Sequence, residues 1–282
     1  MTLPVSIPLA ASAPAPAART LPLWRRAFNI TALRRGLILV ALAALWQAYA
    51  VWADNPLMFP SFTETAQAFW QGIASGGLLG KAWTSVQVLL MGYALGVALA
   101  GVLAALAAST RIGEDLLATL VAMFNPLPAI ALLPLALLWF GLGTPSLLFV
   151  LVHAVLWPLA LNMSSGFAAV TETLRMAGRN YGLRGLRYVA LILIPAAFPS
   201  ILTGLKVAWA FAWRTLIAAE LVFGVASGSG GLGWFIFENK NRLETASVFA
   251  GLGAVILIGL LVEGLVFRTI EIATVRKWGM QR

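Results

Sequence analysis

Apolar residues run through this chain in blocks too long for strands and too uniform for the stripe of a water-soluble helix. A membrane-spanning helix needs about 20 mostly apolar residues. Stretches of that kind occur at about residues 36–53, 84–108, 116–140, 146–163, 189–223 and 248–267. The pattern predicts an all-α membrane protein with about six transmembrane helices. The third stretch carries Pro126, Pro128 and Pro134. Each proline removes a backbone donor and frees a carbonyl, so a broken helix is expected there. The fifth is too long for one straight span. Its first part is expected to lie at the interface or to enter through a kink at Pro195 or Pro199. In the second, Gly92, Gly96 and Gly101 offer close helix packing. One segment has a different period. In PSFTETAQAFWQGI, residues 60–73, Phe62, Ala66, Phe69 and Ile73 fall on one helical face. Ser61 or Thr63 is placed to cap it. This predicts a short amphipathic helix lying at the membrane surface. Trp52, Trp83, Trp139 and Trp234 fall near expected span ends, where tryptophan anchors to the interface.

Composition agrees with the pattern. The chain is 61% hydrophobic and 10% charged, against about half and a quarter in soluble domains. The formal charge is +9, and the position of the basic residues explains it better than nucleic-acid binding does. Arg19, Arg25, Arg26, Arg34 and Arg35 precede the first span. Arg111 lies between the second and third, and Arg175, Arg179, Arg184 and Arg187 lie between the fourth and fifth. Arg268, Arg276, Lys277 and Arg282 follow the sixth. All of these fall on one side, and only Lys81, Lys240 and Arg242 on the other. The positive-inside rule makes the rich side cytoplasmic, with both termini on it. Residues 1–35 read as a disordered, basic cytoplasmic tail. Residues 36–268 read as the transmembrane domain, with a cytoplasmic loop at about 164–190, and residues 269–282 as a basic cytoplasmic tail.

Candidate chemistry is sparse. There is no cysteine and a single histidine, His153, so a disulfide, a thiolate nucleophile or a metal site built on histidines is not expected. GSGGLG (228–233) matches a dinucleotide fingerprint in letters, but follows a membrane span with no βαβ unit around it. It reads as a turn. GGLLGKAW (76–83) lacks phosphate-loop spacing and has Ala82 where a magnesium-binding hydroxyl is needed. No catalytic residue and no nucleotide site are therefore expected in this chain. His153 reads either as a hydrogen-bonded packing residue or as a ligand or proton-relay group, and Glu263 as paired or water-facing. The fifth span holds Lys206, Arg214 and Glu220. A charge at mid-bilayer costs about 3 kcal/mol on insertion scales, so such residues face a bundle interior or a wet path. Lys206 and Glu220 fall within about 40° of each other around the helix. Either this face lines a pathway, or Lys206 snorkels and Arg214 pairs with a neighbouring helix. Lys206, Trp209, Trp213, Arg214, Glu220, Pro128 and Pro134 form the candidate lining.

The loop after the fourth span reads MAGRNYGLRGLRYVALILIP, residues 176–195. By itself it predicts a short helix over 171–181, with Glu172 favouring its dipole, a reversal at Gly182 and Gly185, and a second helix leading into span five. It resembles the E-A-A-x3-G-x9-I-x-L-P segment of permease subunits of bacterial binding-protein-dependent ABC importers. The matching positions are Met176, Ala177, Gly178, Gly182, Ile192, Ile194 and Pro195. Met176 stands where that family has Glu, Gly178 where it has Ala, and Ile194 where it has Leu. ALLPLALLWFGLG, IPAAFPSILTGLKVAWAFAW, AAEL and GSGGLGWFI look like the nitrate/sulfonate/taurine branch. The resemblance covers roughly residue 60 to the end. It implies a type I importer permease in the bacterial inner membrane, working as a homodimer with two cytoplasmic ATPase subunits and a periplasmic solute-binding protein. It implies that Met176, Ala177, Gly178, Arg179, Tyr181, Gly182 and Leu183 couple to the ATPase, which carries ATP and magnesium. The expected cargo is a small anion such as an aliphatic sulfonate, taurine or nitrate. The alternative is an ion-coupled secondary transporter, for which His153 and Glu263 are the only mid-membrane candidates.

Overall fold

The computed structural model describes residues 31–74, 77–227 and 230–279. The tail expected over 1–35 falls mostly outside them, and Thr31–Arg35 already belong to a helix. All regular structure in the described residues is helical. The chain divides into two units at Tyr49/Ala50. The first helix, α1 (Thr31–Ala53), is an apolar run whose side chains from Leu33 to Tyr49 are mostly exposed.

In the second unit, α2 is Phe62–Ala74 and α3 is Leu78–Ala107. Next come α4, Arg111–Phe124, and α5, Leu133–Phe140, with a 3₁₀ turn at Ala129–Leu132 between them. Then follow α6 (Thr144–Ala168), α7 (Glu172–Asn180), α8 (Gly185–Tyr188) and α9 (Ile194–Ser227). The last are α10 (Leu232–Asn241), α11 (Thr245–Leu261) and α12 (Arg268–Glu271). Five runs are long and apolar enough to cross a membrane, or six if the bent pair α4 and α5 is one span.

Span ends lie outside the hydrophobic blocks because caps, not hydropathy, set them. α4 begins at Arg111 rather than near 116, since the Thr110 hydroxyl accepts from the Gly113 N–H at 3.0 Å. The sixth run continues through two π-helical turns, Val262–Phe267 and Ile272–Arg276, well past residue 267. In the fifth, the helical run extends from Gly185 to Ser227, of which Gly185–Val222 is apolar enough to span. The expected kink at Pro195 is replaced by a π-helical turn, Val189–Leu193, just before it. That turn shifts the register where Pro195 has no N–H to donate. Pro199 lies inside α9.

α2 is capped as a reciprocal pair. The Ser61 N–H donates to Glu64 Oε2 at 2.8 Å and the Glu64 N–H donates to Ser61 Oγ at 3.2 Å. These bonds hold the Glu64 carboxyl below its usual pKa. Its inward face differs from the one expected. Thr65 and Gly72 are buried and Phe69 and Ile73 partly so, whereas Phe62 and Ala66 are exposed. The reversal at Gly77 brings Leu78 to 3.3 Å from where a Cβ on Gly72 would stand. The helix packs chiefly on α11, with Gly72 giving room to Leu78.

α6 is the centre of the bundle and packs most extensively on α9 and α3. Leu89, Val150, Leu151, Val155 and Leu216 are fully buried there. A Cβ on Gly92 would stand 2.6 Å from Leu151 Cβ, and one on Gly96 2.6 Å from Val155 Cβ. Small residues let these two helices meet, and overpacking at either costs about 1–3 kcal/mol. Gly101 has nothing within 4 Å of its would-be Cβ, so the expectation of close packing fails there.

Candidate coupling surface and transport site

α7 is joined to the end of α6 by one side chain. Arg175 donates from Nε to the Val170 carbonyl at 3.1 Å and from Nη2 to the Phe167 carbonyl at 2.6 Å. Both carbonyls lie at the C-terminal end of α6, where a helix leaves acceptor capacity open. Arg175, which the sequence marks only as a topology charge, therefore ties the coupling segment to the central helix. α7 ends in a Schellman motif. The Gly182 N–H donates to the Arg179 carbonyl at 2.9 Å and the Leu183 N–H to the Gly178 carbonyl at 3.1 Å. Gly182 has φ +74° and Gly185 +54°, a region that glycine enters without cost. The helix, glycine reversal and second helix read from the sequence are all present.

Gly178 is buried, and a Cβ there would lie 2.9 Å from Ile192 Cγ1 and 3.1 Å from Tyr188 Cε2. Glycine in place of the family's alanine thus makes room for Tyr188. On the other side α7 is open. Leu174, Met176, Ala177, Arg179 and Tyr181 are exposed, Tyr181 to 86%. Glu172 and Arg179 form an exposed ion pair at 3.7 Å. Met176 presents an uncharged apolar side chain on this face.

The polar residues of the fifth span separate into two groups. Lys206 donates to Glu271 Oε2 at 2.9 Å and lies 4.0 Å from Glu263 Oε1. Glu271 also takes Arg276 at 3.1 Å. Glu220 is buried at 4% exposure. The Ser85 hydroxyl donates to its carboxylate at 2.8 Å, and the Gly233 N–H donates to Oε2 at 2.9 Å. Ser85 Oγ in turn accepts the Leu232 N–H at 2.8 Å. Glu220 and Ser85 together cap the N-terminus of α10, where a carboxylate is favoured by both the free N–H groups and the helix dipole. A Cβ on Gly233 would stand 2.5 Å from Glu220 Cβ. The described part of GSGGLG, from Gly230 on, is therefore shaped for contact with Glu220; Gly228 and Ser229 lie outside the described residues. Trp209 and Trp213 are also buried. Trp213 donates to the Val255 carbonyl at 3.2 Å, and Trp209 packs edge-on to Tyr93 and Phe267.

Arg214 differs from all of these. It is exposed, its Nε donates to the Ala210 carbonyl at 3.1 Å, and its guanidinium lies 4.8 Å from the Phe211 ring centre. No carboxylate pairs with it among the described residues.

α4 and α5 meet at an angle of 85° across the break. Pro128 sits in the break with extended φ/ψ. Pro134 lies in the first turn of α5, where its missing N–H is harmless, and so does not interrupt a helix. The buried Ser146 hydroxyl lies within donating distance of the Gly141 carbonyl, just past α5, and of the Ala136 carbonyl. Asn125 and Pro126 line two recesses. One, of about 430 Å³, also takes in Glu114, Ser164 and Ser165. The other, of about 240 Å³, takes in His153, Phe211 and Thr215.

The family described as the binding-protein-dependent transport system inner membrane component matches residues 92–268, which span the coupling segment, the break and the fifth span. The chain belongs to this family. A putative ABC transporter permease protein of Methanocaldococcus jannaschii is 32% identical over 230 residues, 80% of this chain and 85% of the relative. A putative aliphatic sulfonates transport permease protein of Escherichia coli is 31% identical over 225 residues, covering 79% and 84%. A taurine transport system permease protein of the same organism is 26% identical over 248 residues, covering 85% and 87%. A nitrate import permease protein is among the further matches. The permease is thus a multi-pass membrane protein, helical throughout its described regular structure, of the nitrate/sulfonate/taurine branch, as the resemblance of ALLPLALLWFGLG, AAEL and GSGGLGWFI implied.

Proposed function

We propose that this permease imports a small oxyanion, such as an aliphatic sulfonate, taurine or nitrate, across the inner membrane of a bacterium. A periplasmic binding protein delivers the solute, and a separate cytoplasmic ATPase drives transport with ATP and magnesium. Two copies of the permease enclose the path. The observation that carries this reading is the coupling segment. α7 is pinned by Arg175 and ended by Gly182, so it moves with α6 as one body, yet it exposes Leu174, Met176 and Tyr181 to a partner. Exposed apolar side chains on a short helix fit a groove in another protein. Fourteen of the chain's basic residues flank the spans on that side, which supports a cytoplasmic position for it.

The cargo reading rests on the named relatives and on Arg214. Lys206 is committed to Glu271 and Glu220 to Ser85 and α10, so Arg214 is the one cation of the fifth span left to meet an anion. Pro128, in the break, is the proline of the candidate lining that borders the same recess as Thr215. The ATPase encoded beside the permease is expected to copurify with it. Tyr181→Ala, which leaves every bond in the segment intact, is expected to weaken that association at least about tenfold, or 1.4 kcal/mol. Unchanged ATPase binding by Tyr181→Ala together with Met176→Ala would remove α7 as the coupling element.

A further inference from the structure

The run that leads into the fifth span has two faces. Inward, Val189, Leu193 and Ala197 are buried, and Tyr188 and Ile192 take the close approach of Gly178 from α7. Outward, Arg184, Leu186, Arg187, Ala190, Leu191 and Ile194 are exposed, Leu186 to 59% and Leu191 to 60%. An apolar face of this kind, continuous with a span, is covered by lipid or by protein. The charges beside it decide between them. Arg175 is committed to two carbonyls and Arg179 to Glu172. The side chains of Arg184 and Arg187 make no hydrogen bond or ion pair among the described residues. No acidic residue occurs between Glu172 and Glu220, so this stretch presents positive charge alone.

Resting on the reading of this loop as the cytoplasmic coupling element, we propose that the outward face of residues 184–194 docks on anionic phospholipid and thereby steadies α7. Leu186, Leu191 and Ile194 enter the acyl boundary, and the Arg184 and Arg187 guanidinium groups meet headgroup phosphates. Unpaired arginines interleaved with exposed leucines are the pattern of a helix lying at a charged lipid surface. An anionic leaflet attracts each such cation by about fivefold in affinity, and a guanidinium meets two phosphate oxygens in parallel. The same short segment carries α7 on its inner side, through Gly178 against Tyr188 and Ile192. Lipid that fixes the outer side therefore limits the freedom of the surface on which the coupling helix rests. The ATPase would sit elsewhere, on the open face of α7 with Leu174, Met176 and Tyr181.

The chain has no cysteine, so Ala190→Cys gives the full-length permease a single thiol for a bimane label on this face. The labelled protein is held in phosphatidylcholine nanodiscs. Quenching is read against a rising fraction of phosphatidylglycerol or phosphatidylcholine that carries a nitroxide on its acyl chain. Half-quenching is expected at an at least about fivefold lower fraction of the anionic lipid. Arg184→Gln with Arg187→Gln should remove that preference, and about 1 M salt should narrow it. Equal quenching by the two lipids overturns the docking, as does a preference that the double variant keeps. Quenching by neither lipid overturns it too, because a protein surface then covers the face. Loss of the preference on adding inorganic phosphate at constant ionic strength would assign the arginines to a soluble anion instead. Binding of the ATPase encoded beside the permease is titrated on the same discs. It is expected to be at least about fivefold tighter with phosphatidylglycerol present, and the double variant should lose that gain. Equal ATPase binding in both lipids overturns the steadying of α7. A permease that binds no ATPase in either lipid rejects the importer reading itself, and leaves the docking to be judged by the quenching.

Discussion

Two polar clusters in the fifth span teach opposite lessons. Around Glu220, four groups from α3, α9 and α10 satisfy one another, and the carboxylate is almost wholly buried. Arg214, by contrast, is exposed, rests on the Ala210 carbonyl and the Phe211 ring, and pairs with no carboxylate among the described residues. Burial of a charge in a membrane bundle is tolerated where every donor and acceptor is matched. A cluster that is matched has its ligand already, in the form of a helix end. Composition does not separate the two, since both were charged residues on one long apolar helix.

Mutation sharpens the contrast. Glu220→Ala is expected to have the largest effect on stability. It strips the acceptor from the Ser85 hydroxyl and the Gly233 N–H together, costing about 3 kcal/mol, and the thermal midpoint of the purified permease should fall by several degrees. A midpoint within error of wild type would show that the cap does not hold α10. Gly233→Ala comes next. Its Cβ meets Glu220 Cβ at 2.5 Å, so about 2 kcal/mol of overpacking is expected, again read as a lower midpoint. Lys206→Met exchanges a half-buried cation paired with Glu271 for an apolar side chain. It should lower the midpoint by clearly less than Glu220→Ala, and less still in high salt, where the pair is screened. Arg214→Gln stands last on this scale. Stability should change by less than about 0.5 kcal/mol, while uptake falls. A large loss of stability there would make Arg214 structural and collapse the contrast.

What the sequence made legible follows from how local each interaction is. The spans were visible because hydropathy acts over about 20 consecutive residues. The helix–glycine–helix loop after the fourth span was visible because its Schellman bonds join residues within six positions of each other, from Gly178 to Leu183. Arg175 was misread as a topology charge alone, although its acceptors, Phe167 and Val170, lie close in the chain. Its distance before Gly182 and after the span was the available signal. The partners of Lys206 and Glu220 were not legible. Glu271 is 65 residues from Lys206, and Ser85 is 135 from Glu220. No period or spacing connects residues joined only by the packing of three helices. The amphipathic face of α2 was misjudged for a related reason. Hydrophobicity favoured Phe62 and Ala66, but α2 packs chiefly on α11 and buries Thr65 and Gly72, the glycine where Leu78 comes close.

Met176 belongs to the same account. It lies on the open face of α7, where the family has glutamate, and the segment keeps its geometry without that charge. The shape of the segment is therefore set by Arg175, Gly178 and Gly182 rather than by position 176.

The central claim is that the permease moves an oxyanion only when an ATPase works through α7. Its most direct measurement is uptake of radiolabelled taurine and nitrate into proteoliposomes holding the permease, the ATPase encoded beside it and the accompanying binding protein. Uptake of at least one anion that requires ATP, is lost with Tyr181→Ala plus Met176→Ala, and ignores an imposed proton or sodium gradient is the predicted result. Uptake driven by such a gradient without ATP would contradict it.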